Sequence, residues 1–238
     1  MQQPDTCLTT SAVIFDMDGV IIDSGQVIEK AWSEAAARRG IVITEQEAQR
    51  SIHGRTGAQT VEILFPDHTP EQRLAIWREV DMAEEEAAYE AIAGVQSFLH
   101  ALHDNGAVLA LVTSGWPRKI EKALDSLGLG HLFALRLTRD DTTRGKPHPE
   151  PYLTACRELG IQPAQGLVFE DSLSGVRSAV SAGTACVGVG APDLLALGAI
   201  AVVPDFTGLS VTRTATDLVL GGLASEVRVT TPGSACRD

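Results

Sequence analysis

The chain has 238 residues, 31 Asp and Glu against 19 Lys and Arg, a formal net charge of −12 and a hydrophobic fraction of 44%. That length and apolar content suit one large domain, or a core domain carrying a smaller insertion, and exclude a disordered chain. The negative balance argues against nucleic acid and anionic membranes as partners, and no apolar run approaches the roughly 20 residues that cross a bilayer.

Ser11 to Phe15 is a short β-branched apolar run that reads as a fully buried strand ending at Asp16. From Gln26 to Arg39 the period becomes helical, with Val27, Ala31, Trp32, Ala35 and Ala36 on one face and Gly40 as the stop. Residues 45 to 65 read as helical pieces broken at Gly54 and Gly57. Thr69 and Pro70 read as N-cap and first helical position of a Glu- and Ala-rich helix running to about Ile92. Trp32 reads as a core residue of this segment, and Glu84, Glu85 and Glu86 as a solvated helix face.

After Gly94 helices and strands alternate. Helices are expected over Val95 to His103, Pro117 to Leu127, Pro149 to Leu159, Leu173 to Ala182 and Pro192 to Leu197. Strands are expected over Val108 to Val112, Leu135 to Leu137, Gly166 to Phe169, Ala185 to Val189 and Ala199 to Val203. This alternation implies an α/β fold, a doubly wound parallel sheet (a Rossmann-like core) with an inserted all-helical cap domain. The expected division is 1–22 and 93–215 for the core, 23–92 for the cap, and 216–238 for a weakly ordered C-terminal tail. Asp23 and Ser24 mark the first crossing between the two domains, and Ala93 and Gly94 the second.

Four cysteines, Cys7, Cys156, Cys186 and Cys236, have no metal-ligand spacing and read as free thiols. Met1 to Ser11 lacks the basic-then-apolar pattern of a secretory signal. The expectation is a cytoplasmic protein.

Ligands of open parallel sheets bind beyond the carboxyl ends of the strands. Four polar clusters fall at such ends or in adjoining loops: Asp16-Met17-Asp18-Gly19, Thr113-Ser114-Gly115, Gly145-Lys146-Pro147 and Glu170-Asp171. Each alone is an ordinary turn or cap; the set is what carries meaning. Asp16, Asp18, Glu170 and Asp171 would crowd negative charge into one cleft, which is costly without a cation. Carboxylate oxygens without Cys or His suit Mg2+. Such an ion would bridge a carboxylate and a phosphoryl oxygen, while Lys146 and the Ser114 hydroxyl would hold the remaining phosphate charge.

In this order the clusters resemble the four motifs of the haloacid dehalogenase-like hydrolase superfamily, from about Ala12 to Val203. The helical insertion resembles that family's four-helix cap. The resemblance implies Asp16 as nucleophile, Asp18 as general acid/base and Lys146 as stabiliser of nucleophile and phosphate. It implies Asp16, Asp171 and the Asp18 backbone carbonyl as metal ligands, with Glu170 either a ligand or a support for the ligands. Thr113 or Ser114 would bind the phosphoryl group, Ser114 being preferred, with Gly115 beside them. Val20 departs from the Thr found there in many members. Asp18 sets the chain apart from the dehalogenases, and the absence of any cap lysine except Lys30 sets it apart from phosphonatases.

Finer segments, among them Ile52-His53-Gly54-Arg55-Thr56 and Gly145 to Tyr152, are similar to glycerol-phosphate, 2-deoxyglucose-6-phosphate and bacterial sugar phosphatases. The implied activity is hydrolysis of a small sugar, polyol or cyclitol phosphate by a monomer. The alternative is a β-phosphoglucomutase-like mutase on the same fold. Gly54 would let the backbone approach substrate and Arg55 would offer it a planar donor fork, with His53 either touching substrate or packing.

Overall fold

The computed structural model describes residues 8–52, 55–223 and 225–232. In chain order its strands and helices begin with β1 (Leu8–Thr10), β2 (Ala12–Phe15) and β3 (Ile22–Asp23), then α1 (Gly25–Ala37), α2 (Glu45–Ser51), α3 (Gly57–Leu64) and α4 (Pro70–Glu86). They continue with β4 (Glu90–Ala91), α5 (Val95–Asp104), β5 (Val108–Val112), α6 (Pro117–Leu127), β6 (Leu135–Leu137), α7 (Glu150–Leu159), β7 (Gly166–Glu170) and α8 (Leu173–Ala182). The last are β8 (Ala185–Val189), β9 (Ala201–Val203), β10 (Ser210–Arg213), β11 (Asp217–Gly221) and β12 (Val227–Thr230).

Six strands form a parallel sheet in the order β6-β5-β2-β7-β8-β9. Alternate residues of the central strands enter two different apolar clusters. Val13, Phe15, Leu109, Leu111, Leu167 and Phe169 enter one, and Ile14, Ala110, Val112 and Val168 the other. Both sheet faces are therefore covered, which is why these strands read as continuous apolar runs. Phe15 stacks on Phe169 with ring centroids 5.1 Å apart and packs edge-on against Phe98. Chain order runs outward from β2 in both directions, so the end of β2 is the topological switch point of the sheet.

Helices α1 to α4 carry a core of their own, in which Ala31, Trp32, Ala35, Ala36, Ile52, Val61, Phe65, Ile76 and Val80 are buried together. This is the expected helical cap, and Trp32 belongs to its core. Thr44, Thr56 and Thr69 each close a capping box at a helix start, and Pro70 occupies the first turn of α4 as expected. That helix ends at Glu86 rather than near Ile92, because Glu90 and Ala91 turn extended and pair antiparallel with Asp23 and Ile22. Both chain crossings between cap and core thus run side by side. Pro192–Leu197 is helical as expected but of the 3-10 type.

A larger difference lies at the C-terminus. The expected weakly ordered segment at 216–238 contains β11 and β12, which with β10 and β1 form a second sheet in the order β1-β12-β11-β10. Leu218, Leu220, Val227 and Val229 are buried in the same cluster as Phe15. Buried and outward residues alternate along both strands, but the strands are only five and four residues long. The β1 strand that pairs with β12 lies some 220 residues away in sequence, with Leu8 opposite Val227. Replacing Leu218 with Ala should therefore cost about 2–5 kcal/mol in urea unfolding. A loss below about 0.5 kcal/mol, the range of surface changes, would contradict this packing.

Candidate active site

The central strand β2 delivers Asp16 to the switch point, where its backbone N–H donates to the Phe169 carbonyl at 3.0 Å. Asp16 is 7% exposed, and its carboxylate accepts from the Lys146 ammonium at 2.9 Å. Lys146 comes from the loop before α7 and also donates to the Val112 carbonyl at 3.0 Å and to Glu170 Oε1 at 2.6 Å. These three acceptors use all three protons of a buried ammonium. Glu170, the last residue of β7, is wholly buried. Its Oε1 also accepts from the Tyr152 hydroxyl at 2.8 Å, and its Oε2 accepts from Ser172 N–H at 3.2 Å and Ser172 Oγ at 3.1 Å. Gly175, in the first turn of α8, makes room for this carboxylate, since a Cβ there would lie 1.8 Å from it.

Asp171 follows on the same edge. One oxygen from each of Asp16, Glu170 and Asp171 lies within 4.8 Å of the other two. Asp171 Oδ2 also fills the space beside Gly19, where a Cβ would come within 2.0 Å, and Gly19 itself has φ +71°. Glycine at this position thus permits both the left-handed turn after Asp18 and the approach of Asp171. The Asp18 carboxylate stands apart from that trio and accepts from Lys119 Nζ at 2.8 Å.

Burial pushes the Asp16 carboxyl up to about 7; Lys146 opposes that rise, while Glu170 and Asp18 add to it. Asp171 is raised well above the ordinary carboxylate range by burial and by its three acidic neighbours. For Lys146, burial works against the charge, but Asp16 and Glu170 outweigh it and hold the ammonium protonated. One lysine against several carboxylates leaves an excess of negative charge that a hard divalent ion would balance. The donors are all carboxylate oxygens, so the residues present fit Mg2+. With both its oxygens already engaged, Glu170 is placed to anchor Lys146, and Asp16 and Asp171 have more lone-pair capacity free for an ion.

Thr113, directly after β5, is 4% exposed and its hydroxyl accepts from the Gly115 N–H at 2.9 Å. Its own N–H donates to Leu137, and it adjoins the Val112 carbonyl that Lys146 holds. Ser114 is exposed. Arg55 is also exposed and donates to the Arg50 carbonyl at 2.6 Å, a contact within the cap. His53 and Gly54 lie outside the described residues.

Sequence reasoning did not find Lys119, Tyr152 or Ser172 as members of this network. Tyr152 and Ser172 flank recognised motifs, so their proximity in sequence was a usable signal; nothing local marks Lys119. The acidic face of α4 is corrected as well. Glu84 is buried and accepts from Lys119 at 2.9 Å, and Glu85 pairs with Arg118 at 2.6 Å and accepts from the Trp116 indole at 3.2 Å. Only Glu86 of the three is exposed. Nearby, Asp81 pairs with Arg139 at 2.7 Å, and the Arg139 guanidinium lies 5.2 Å from the Trp77 ring centroid and 4.7 Å from that of Trp116. The cap therefore rests on the core through helix α4.

Residues 13–189 match the family model described as haloacid dehalogenase-like hydrolase. Validoxylamine A 7'-phosphate phosphatase of Streptomyces hygroscopicus subsp. limoneus is 34% identical over 179 residues, 74% of this chain and 84% of that protein. Hexitol phosphatase A of Escherichia coli is 29% identical over 181 residues, 75% of this chain and 82% of that protein. A crystal structure of a hydrolase of the same superfamily from Deinococcus radiodurans, with bound phosphate and sodium, superposes with a TM-score of 0.66 at 27% identity. That superposition covers 83% of this chain and 92% of the other. Motifs, fold and matched length agree, and the chain belongs to the haloacid dehalogenase-like hydrolases.

Proposed function

We propose that this protein is a Mg2+-dependent phosphatase of small sugar, polyol or cyclitol phosphate monoesters, working through an aspartyl-phosphate on Asp16. The observation that carries the reading is the convergence of Asp16, Lys146 and Asp171 at the end of the central strand. The named activities of its relatives, among them a hexitol phosphatase and a validoxylamine phosphate phosphatase, support the substrate class.

In this mechanism an Asp16 carboxylate oxygen attacks phosphorus and the bond to the substrate oxygen breaks. Asp18, protonated on Oδ2, the oxygen that Lys119 does not hold, gives that proton to the leaving oxygen. Asp18 then takes a proton from water, whose oxygen attacks phosphorus, and the bond to Asp16 breaks to give inorganic phosphate. Lys146 holds the Asp16 carboxylate in place and offsets charge on the transferring group. The buried Thr113, in preference to the exposed Ser114, is assigned as hydroxyl donor to that group, with the backbone at Gly115 beside it. Asp16, Asp171 and the Asp18 carbonyl would hold Mg2+, which supplies Lewis-acid neutralisation of phosphoryl charge when bound. Glu170 is assigned to Lys146 rather than to the ion.

The segment 23–92 is assigned as the cap, which excludes water and selects the leaving group, over a core of 1–22 and 93–215. His53, Gly54 and Arg55 are its candidate contacts with substrate. The chain is assigned as a cytoplasmic monomer; no described helix is long and apolar enough to cross a membrane.

The test is phosphate release from sugar, polyol, cyclitol, nucleotide and phosphoglycolate esters, with and without chelator. Release from sugar or polyol esters that stops on chelation and returns with Mg2+ is the expected result. Isomerised sugar phosphate without free phosphate would replace this reading with a mutase.

A further inference from the structure

Lys119 lies in the first turn of α6, is 2% exposed, and is shared between the two parts of the molecule. Its ammonium donates to Asp18 Oδ1 at 2.8 Å and to Glu84 Oε2 at 2.9 Å. The rings of Tyr89 and Trp116 enclose it, each with its centroid 5.5 Å from Nζ. Glu84 belongs to the cap and is itself anchored, since Tyr89 Oη donates to its backbone carbonyl at 2.6 Å. Asp18 belongs to the core and bears the side chain assigned to proton transfer.

Joining cap to core does not by itself require this lysine. Arg118 with Glu85, Trp116 with Glu85 and Arg139 with Asp81 already span the same interface. Lys119 differs from them in its second partner: among the described residues, it is the cation at this interface that also holds a carboxylate of the catalytic motif. A buried ammonium with two carboxylate acceptors has little freedom to leave either. The direction of the Asp18 side chain is therefore tied to where Glu84 sits, and Glu84 sits where the cap does.

We propose that Lys119 is a positioning residue that orients Asp18 for proton transfer to the leaving group and, through Glu84, makes that orientation depend on a seated cap. This rests on the phosphatase reading. It has a signature that a purely structural role lacks. An alkyl ester needs its leaving oxygen protonated, whereas a nitrophenyl ester leaves as a stable phenolate and needs no acid. Misplacing Asp18 should slow the first and spare the second.

Lys119→Met is compared with wild type on sorbitol 6-phosphate and on p-nitrophenyl phosphate, the second followed as the pre-steady-state burst of nitrophenolate. The expected result is a kcat for sorbitol 6-phosphate lower by about 10- to 100-fold, within the range of a positioned acid. KM and the nitrophenolate burst rate should stay within about threefold, too small a change to count as a tenfold catalytic effect. Glu84→Gln should shift the ratio of the two rates in the same direction by a smaller factor, and Lys119→Arg should restore part of it. Should Lys119→Met unfold because Glu84 is left buried and unpaired, the double variant Lys119→Met, Glu84→Met removes both charges and gives the same comparison in a folded protein. Equal losses on both esters, or none on either, would overturn the positioning role. A wild-type protein that releases phosphate from none of the esters in the screen described above would instead overturn the phosphatase reading.

Discussion

Asp16→Asn should abolish phosphate release, by roughly 10⁴-fold or more on the scale of losing an attacking group, while leaving the fold intact. Asparagine keeps the shape of the side chain and an oxygen for the 2.9 Å contact with Lys146. It cannot form a phosphoryl ester that water would cleave. The folded state should lose nothing and gain some stability, because one negative charge leaves a buried cluster whose carboxyls are already pushed upward. The measurements are phosphate release, acid trapping of phosphorylated protein, and the thermal midpoint. Residual activity above about 1% of wild type, a barrier increase under about 2.7 kcal/mol, would place the nucleophile elsewhere.

Removing Lys146 should harm both stability and turnover, for separable reasons. In Lys146→Met the wholly buried Glu170 keeps Tyr152 and Ser172 but loses its cation. Breaking a buried pair on one side costs about 3–5 kcal/mol, readable as a lower urea midpoint. Turnover should fall by about 10²–10³, the scale of removing one donor aimed at transition-state charge. Adding Glu170→Gln to this variant should recover part of the stability, since the wholly buried unpaired charge is removed while Asp16 still stands without its cation. It should recover little of the activity, since Asp16 still lacks its partner. Recovery of both together would mean that Lys146 acts only as a prop for the fold.

Much of this architecture was legible locally. The short β-branched apolar run before Asp16 has the pattern of a strand covered on both faces, and it is the central strand of a parallel sheet. Thr69 and Pro70 announced a helix start because a hydroxyl cap and a proline in the first turn satisfy or remove orphan N–H groups. Legibility failed where stability comes from distant partners. Nothing near Val227 and Val229 indicates that β1 will pair beside them. Glu84 reads as a solvated acid because helix periodicity cannot tell a face turned to water from one turned to another domain.

The sequence by itself determined the order of the four motifs, the parallel sheet that carries them, and the helical insertion after the first. Those follow from short-range rules: hydrophobic period, capping chemistry and turn residues. Tertiary structure alone decided which partners each carboxylate has. Glu170 is engaged by Lys146, Tyr152 and Ser172, Asp171 lies against Gly19, and Asp18 turns to a lysine held by the cap. The physical reason is that a carboxylate's role depends on which donors reach its oxygens, and here most of those donors arrive from elements far away along the chain.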